Sequence, residues 1–175
     1  MDTVTANFNY EQAFKAHGKR WVQERIDREC IDFLEKFGQF LCPSFVDKNG
    51  KTKLKDDAMT VTQIRNVFGE IKRIESKLSF SNIQEEDPAR RREAPEWKAD
   101  YREWQKQEPA FQLLRPKIAY NAARELSKRR ESRIKDFRTV LDMAHSHVNN
   151  HEDFKRFSQL VEGIIAYHKV YGGKD

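Results

Sequence analysis

The chain has 175 residues, 35% charged and 38% hydrophobic, with a net charge of +5 and an isoelectric point near 9.2. That length suits one domain around a single core and leaves little room for two. No apolar stretch approaches the roughly 18 residues of a membrane span, and the opening MDTVTANFNYEQ lacks the basic and apolar regions of a secretion signal, so a cytoplasmic protein with no membrane partner is expected.

Long runs pattern with a period near 3.6, and glycine and proline are sparse. This predicts an all-α fold, a single-domain helical bundle of about five main helices plus a short inserted helix. Residues 1–18 read as a flexible N-terminal arm or short helix, because Phe8, Tyr10 and Phe14 are irregularly spaced. The bundle domain spans 19–175. From about Lys19 the residues Val22, Ile26, Cys30, Phe33, Leu34, Phe37, Phe40 and Leu41 alternate three and four apart, predicting one helix of about 20 residues that stops before Pro43. Cys30 and Cys42 show no CxxC or framework spacing, which fits buried thiols in a reducing compartment. The stretch DKNGKTKLKDD, with its Asn49-Gly50 turn signal, reads as a mobile surface loop.

A second packing helix opens at Thr60 with Gln63 three residues on, a capping box, and continues through Val61, Ile64, Val67, Phe68, Ile71, Ile74 and Leu78. Gly69 in its middle is unfavourable by about 1 kcal/mol relative to alanine, which points to close approach of another backbone. Residues 81–109 read as a charged insertion: EEDPARRREAP is a linker, and Trp97, Tyr101 and Trp104 then place one aromatic stripe on a short helix ending at Pro109. Acids outnumber bases there, so packing or a protein contact is favoured over stacking on bases.

The central helix, LRPKIAYNAARELSK, starts near Arg115, since Pro116 suits a first turn. Leu114, Ile118, Ala122 and Leu126 stack on one side, while Lys117, Asn121, Arg124 and Lys128 recur along another. Between Gln112 and Arg138 there are nine Lys or Arg against three acids, so the cationic character of the chain is local. Cations about 6 Å apart on a rigid helix can follow a phosphate backbone without reading sequence. Two further amphipathic helices follow, one carrying Ile134, Phe137, Val140, Leu141, Ala144 and Val148. The other carries Phe154, Phe157, Leu160, Val161, Ile164 and Ile165 and stops at Gly172 and Gly173.

His145, His147, His151 and His168 invite a metal, but His145 and His147 point to different sides of a helix and no HExxH is present, so no metal site is expected. There is no nucleophile elbow and no phosphate-cradling glycine loop. The chain therefore reads as a non-enzyme without cofactors that binds an anion, RNA or DNA. The alternative is a helical protein-protein adaptor whose cations meet an acidic partner.

Three blocks, TVTQIRNVFGEIKRIE (Thr60 to Glu75), LLRPKIAYNAAR (Leu113 to Arg124) and FSQLVEGIIAYHKVYGGKD (Phe157 to Asp175), together resemble the small helical subunit of type III-A CRISPR effector complexes, the Csm family. The resemblance implies a non-catalytic scaffold that stacks in several copies beside other subunits of the antiviral ribonucleoprotein and lines the groove holding guide RNA paired with target RNA. Carried over by motif position, it implies RNA-backbone contact by Arg65, Lys72, Arg115, Lys117 and Arg124. Asn121 and Lys128 join them on helix face alone.

Overall fold

The computed structural model describes residues 8–84, 96–128 and 132–172, with the side chains of 79–84, 96–101 and 128 outside that description. Among these residues the chain forms seven helices and one small hairpin, in the order α1 (Tyr10–Gln23), α2 (Arg28–Phe40), β1 (Ser44–Val46), β2 (Thr52–Leu54), α3 (Val61–Gln84), α4 (Glu96–Gln112), α5 (Leu114–Lys128), α6 (Ile134–His145) and α7 (His151–Val170). The fold is all-α in its bulk. No helix of the described residues is long and apolar enough to cross a membrane.

Of the segment expected as a flexible arm or short helix, the part from Tyr10 onward is helical and not an arm, and the Asn9 side chain caps it by accepting a hydrogen bond from Gln12 N at 3.0 Å. Phe14, Gly18, Trp21 and Val22 then form its buried face. The single helix expected from Lys19 to Leu41 is two helices, because the Asp27 side chain accepts from Cys30 N at 3.0 Å and starts α2 afresh. Its buried face is Cys30, Phe33, Leu34, Phe37 and Gly38. A Cβ on Gly38 would lie 2.6 Å from Tyr167 Cβ and 2.8 Å from His168 N, so only glycine lets α2 lie this close to α7.

The expected surface loop is a two-stranded antiparallel hairpin with Phe45 opposite Lys53. Asp47 accepts from the backbone N of Asn49 and Lys51, at 2.9 and 3.0 Å, and Gly50 supplies a φ of +72°. After it, the capping box of α3 is present: Gln63 N donates to Thr60 Oγ1 at 3.3 Å and Thr60 N to Gln63 Oε1 at 2.9 Å. Among the described residues outside its own helical turn, nothing lies within 4 Å of a Cβ placed on Gly69, so the close approach expected there is not seen among them. The helix expected to end at Pro109 instead passes through it to Gln112, with Leu113 N donating to Pro109 O at 3.1 Å. The linker at 85–95 lies outside the described residues, as do the side chains of Trp97 and Tyr101.

One apolar core joins all seven helices. Helix α7 packs against α1, α2, α3, α4 and α6. Phe111 is fully buried beside Trp104, Phe154 and Phe157, so Trp104 is a core residue and not a platform for bases. Cys30 and Cys42 are free and buried, and burial pushes both thiols up to about 12. Gly172, at φ +100°, ends α7 as expected of a glycine stop.

Candidate nucleic-acid interface

Helix α5 is positioned by its buried stripe. Leu114, Ile118 and Ala122 are at most 4% exposed and belong to the core, while Leu126 packs against it part-buried. Their i, i+4, i+8 spacing leaves Lys117, Asn121 and Arg124 on the outer side, and Tyr120 falls between them at 67% exposure. Helix α3 runs alongside. Buried Gln63 donates to Glu125 Oε2 at 3.2 Å, fixing the first turn of α3 against the C-terminal half of α5. Farther along, Lys117 Nζ reaches Glu70 Oε2 at 2.7 Å.

Between these two ties lies an open groove of about 580 Å³, lined by Asn66 and Glu70 from α3 and by Pro116, Lys117, Tyr120, Asn121 and Arg124 from α5. Three of the residues expected on sequence grounds therefore share one concave surface. Their cations are accessible, with the Lys117 and Arg124 side chains 46% and 47% exposed.

The groove is not purely cationic. Acids are scarce on the outer face of α5 itself, but α3 brings Glu70 to Lys117, and Arg73 holds the same carboxylate at 2.8 Å. Lys117 first, then Arg73, hold the Glu70 carboxyl below the usual carboxylate range, so it is ionised at neutral pH. Arg124 Nε lies 3.9 Å from Glu125, a loose pairing. Exposed pairs of this kind are worth about 0–1 kcal/mol, so a phosphate can replace the carboxylate as partner.

The other expected residues lie elsewhere. Lys72 ion-pairs with Glu75 at 2.6 Å and with Glu162 of α7, so its ammonium is held on the α7 side by two carboxylates. Arg115 sits beyond Pro116 in a separate depression toward α6, where it and Arg138 flank Asp142 at 3.5 and 3.4 Å. Arg65 is exposed on α3 and is absent from the groove lining. Lys128 ends α5, and its side chain is outside the described part. Sequence reasoning passed over Asn66 and Tyr120, and the i, i+3 spacing from Arg73 gave Glu70 as a surface ion pair only. Tyr120 was within reach of it, since it lies three residues after Lys117 and four before Arg124 on the same helical face.

Two of the histidines, His145 and His168, are held in the core. His145 Nε2 donates to Phe111 O at 3.0 Å with its ring stacked on Phe111 at 3.9 Å, and His168 Nε2 donates to Met59 O at 2.9 Å. Burial holds both rings below their ordinary pKa, hence neutral. Among the described residues no three His, Cys, Asp or Glu side chains are grouped to hold a metal.

A family model described as Csm2 Type III-A matches residues 43–174. The chain belongs to the Csm2 Type III-A family. It is thus a subunit of the type III-A CRISPR complex, in line with the resemblance carried by the three sequence blocks. No curated protein and no solved structure matches the chain. The Csm2 match takes in the hairpin and α3 to α7, including both walls of the groove, and begins after α2.

Proposed function

We propose that this Csm2 chain is the non-catalytic small subunit of its type III-A complex, gripping the backbone of guide and target RNA in the α3/α5 groove and stacking with further copies of itself as a scaffold. One observation carries the reading: Lys117, Asn121 and Arg124 converge, accessible, on a single open groove in a subunit of the type III-A CRISPR complex. The groove offers ammonium, guanidinium and amide donors to phosphate oxygens. Recognition is therefore independent of sequence, and specificity rests on pairing between guide and target. Few phosphates are met per copy, so single copies bind weakly and stacked copies bind together. A non-catalytic role accords with the histidines, because His145 and His168 each donate Nε2–H to a main-chain carbonyl in the core.

The double variant Lys117→Glu/Arg124→Glu tests this directly. Both side chains are about half exposed, so the helices should stay intact by circular dichroism. Binding to a labelled guide–target duplex should weaken at least tenfold, with a shallower salt dependence. Unchanged affinity with intact helicity would remove the groove from the interface and return the chain to an adaptor with an acidic partner.

A further inference from the structure

The basic β1–β2 hairpin lies outside the groove and has been given no role. From Ser44 to Lys55 it carries Lys48, Lys51, Lys53 and Lys55 against the single acid Asp47. All four lysines are exposed. The strand register places them. Phe45 opposes Lys53, and the ladder is closed by Asp47 N donating to Lys51 O at 2.9 Å and Lys55 N to Pro43 O at 2.8 Å. Directly opposed residues share a face of an antiparallel pair, and so do residues two apart along a strand. Lys51, Lys53, Lys55 and Phe45 therefore lie on one face, the lysines about 7 Å apart, a step on the order of that between successive phosphates of a nucleic-acid strand. Asp47 shares that face and pairs with Lys53 at 2.8 Å, which fixes the middle lysine without cancelling the row.

Phe45 is 44% exposed on this face, and Val46, 66% exposed, is on the other. The two apolar side chains thus form no continuous patch of the kind a protein partner would cover. Evenly spaced cations with an aromatic set among them are the pattern of single-strand binding, where phosphates follow the charges and an unpaired base stacks on the ring. The hairpin also stands at one end of the groove. Gln63 ties the first turn of α3 to Glu125. Arg133, five residues after the end of α5, bonds Asp57 at the hairpin's base through Nε at 3.0 Å and backbone N at 2.8 Å. A strand leaving the groove past Arg124 is directed toward the hairpin.

We propose that the β1–β2 hairpin is a second RNA contact, which takes a single-stranded segment emerging from the α3/α5 groove by holding phosphates on Lys51, Lys53 and Lys55 and stacking a base on Phe45. The direction of the track rests on the groove reading; the ladder itself does not. Lysines on a short ribbon also discourage edge-to-edge association, so the test uses Lys51→Gln/Lys53→Gln/Lys55→Gln, which keeps the ribbon polar.

Affinities of the full chain for a labelled single-stranded RNA and for a duplex of the same sequence are measured across a salt series. The triple variant should bind the single strand about tenfold more weakly, and the slope of log affinity against log salt should fall in magnitude by about 2, from three contacts at about 0.7 each. Phe45→Ala should lose several-fold on the single strand with an unchanged slope, because stacking releases no counterions. On the duplex both variants should lose less. An unchanged slope in the triple variant, while Lys117→Glu/Arg124→Glu still weakens binding, overturns the hairpin proposal and leaves the groove reading in place. The reverse pattern overturns the groove and leaves the hairpin standing. Equal losses on single strand and duplex overturn the single-strand assignment.

Discussion

Among the described residues Glu70 is the one acid lining the groove, and its removal should make the protein a better RNA binder. Its carboxylate sits 2.7 Å from Lys117 Nζ and 2.8 Å from Arg73, so Glu70→Gln removes one negative charge and releases two cations. A phosphate on the far side of the Lys117 ammonium would lie about 6 Å from that carboxylate, where two unit charges repel by about 0.7 kcal/mol in water, or roughly threefold in affinity. The gain should be largest at low salt and fade as ionic strength rises, since the separation is close to the screening length of about 8 Å at physiological salt. The loss in stability should be small, because exposed ion pairs contribute about 0–1 kcal/mol. Fluorescence anisotropy with a labelled RNA measures the effect. Glu11→Gln, which frees Lys15 on α1, serves as a control for net charge alone. Equal gains from Glu70→Gln and Glu11→Gln, or a loss from Glu70→Gln with an unchanged fold, would refute phosphate binding beside Lys117.

Other variants probe the fold. Phe111→Ala should lower stability by about 3–5 kcal/mol, a fall in Tm of roughly 10 °C in a thermal melt, because the ring is fully buried among Trp104, His145, Phe154 and Phe157. Gly69→Ala should raise stability by up to about 1 kcal/mol, since its Cβ meets nothing within 4 Å, whereas Gly38→Ala should lower it by forcing α2 from α7. His145 and His168 are held neutral, with native pKa values below the ordinary 6.5. The unfolded chain therefore takes up their protons first as pH falls. Their contribution is full above about 6.5 and is lost as pH drops toward the lowered native values. Thermal melts across that window should show Tm declining, and His145→Gln/His168→Gln should give a lower but flatter profile.

The parts of this molecule governed by local rules were legible in its sequence. Thr60 and Gln63 marked the start of α3 because a capping box is built within four residues, and Pro116 marked the first turn of α5 for the same local reason. Helix α1 was hidden because its buried stripe passes through Gly18, which does not register as apolar although the Phe14 ring fills its place. The break before α2 was masked by an apolar period that continues through Val22, Ile26 and Cys30. Only Asp27, three residues before Cys30, signalled it. Along α5 the periodicity separated core face from cationic face correctly. It could not show that Glu70, 47 positions away, pairs with Lys117, or that Glu162 helps hold Lys72, because such partners are set by helix packing. Arg115 was grouped with Lys117 by its position in the shared sequence block, yet they lie in separate depressions on either side of Pro116.

Ultraviolet crosslinking of the full chain to guide–target RNA, with adducts located by mass spectrometry, tests the central claim most directly. Tyr120 is exposed within the groove, so adducts should concentrate on the α5 peptide that contains it and fall away in Lys117→Glu/Arg124→Glu. Adducts confined to other surfaces, or an α5 adduct indifferent to that double variant, would contradict the account.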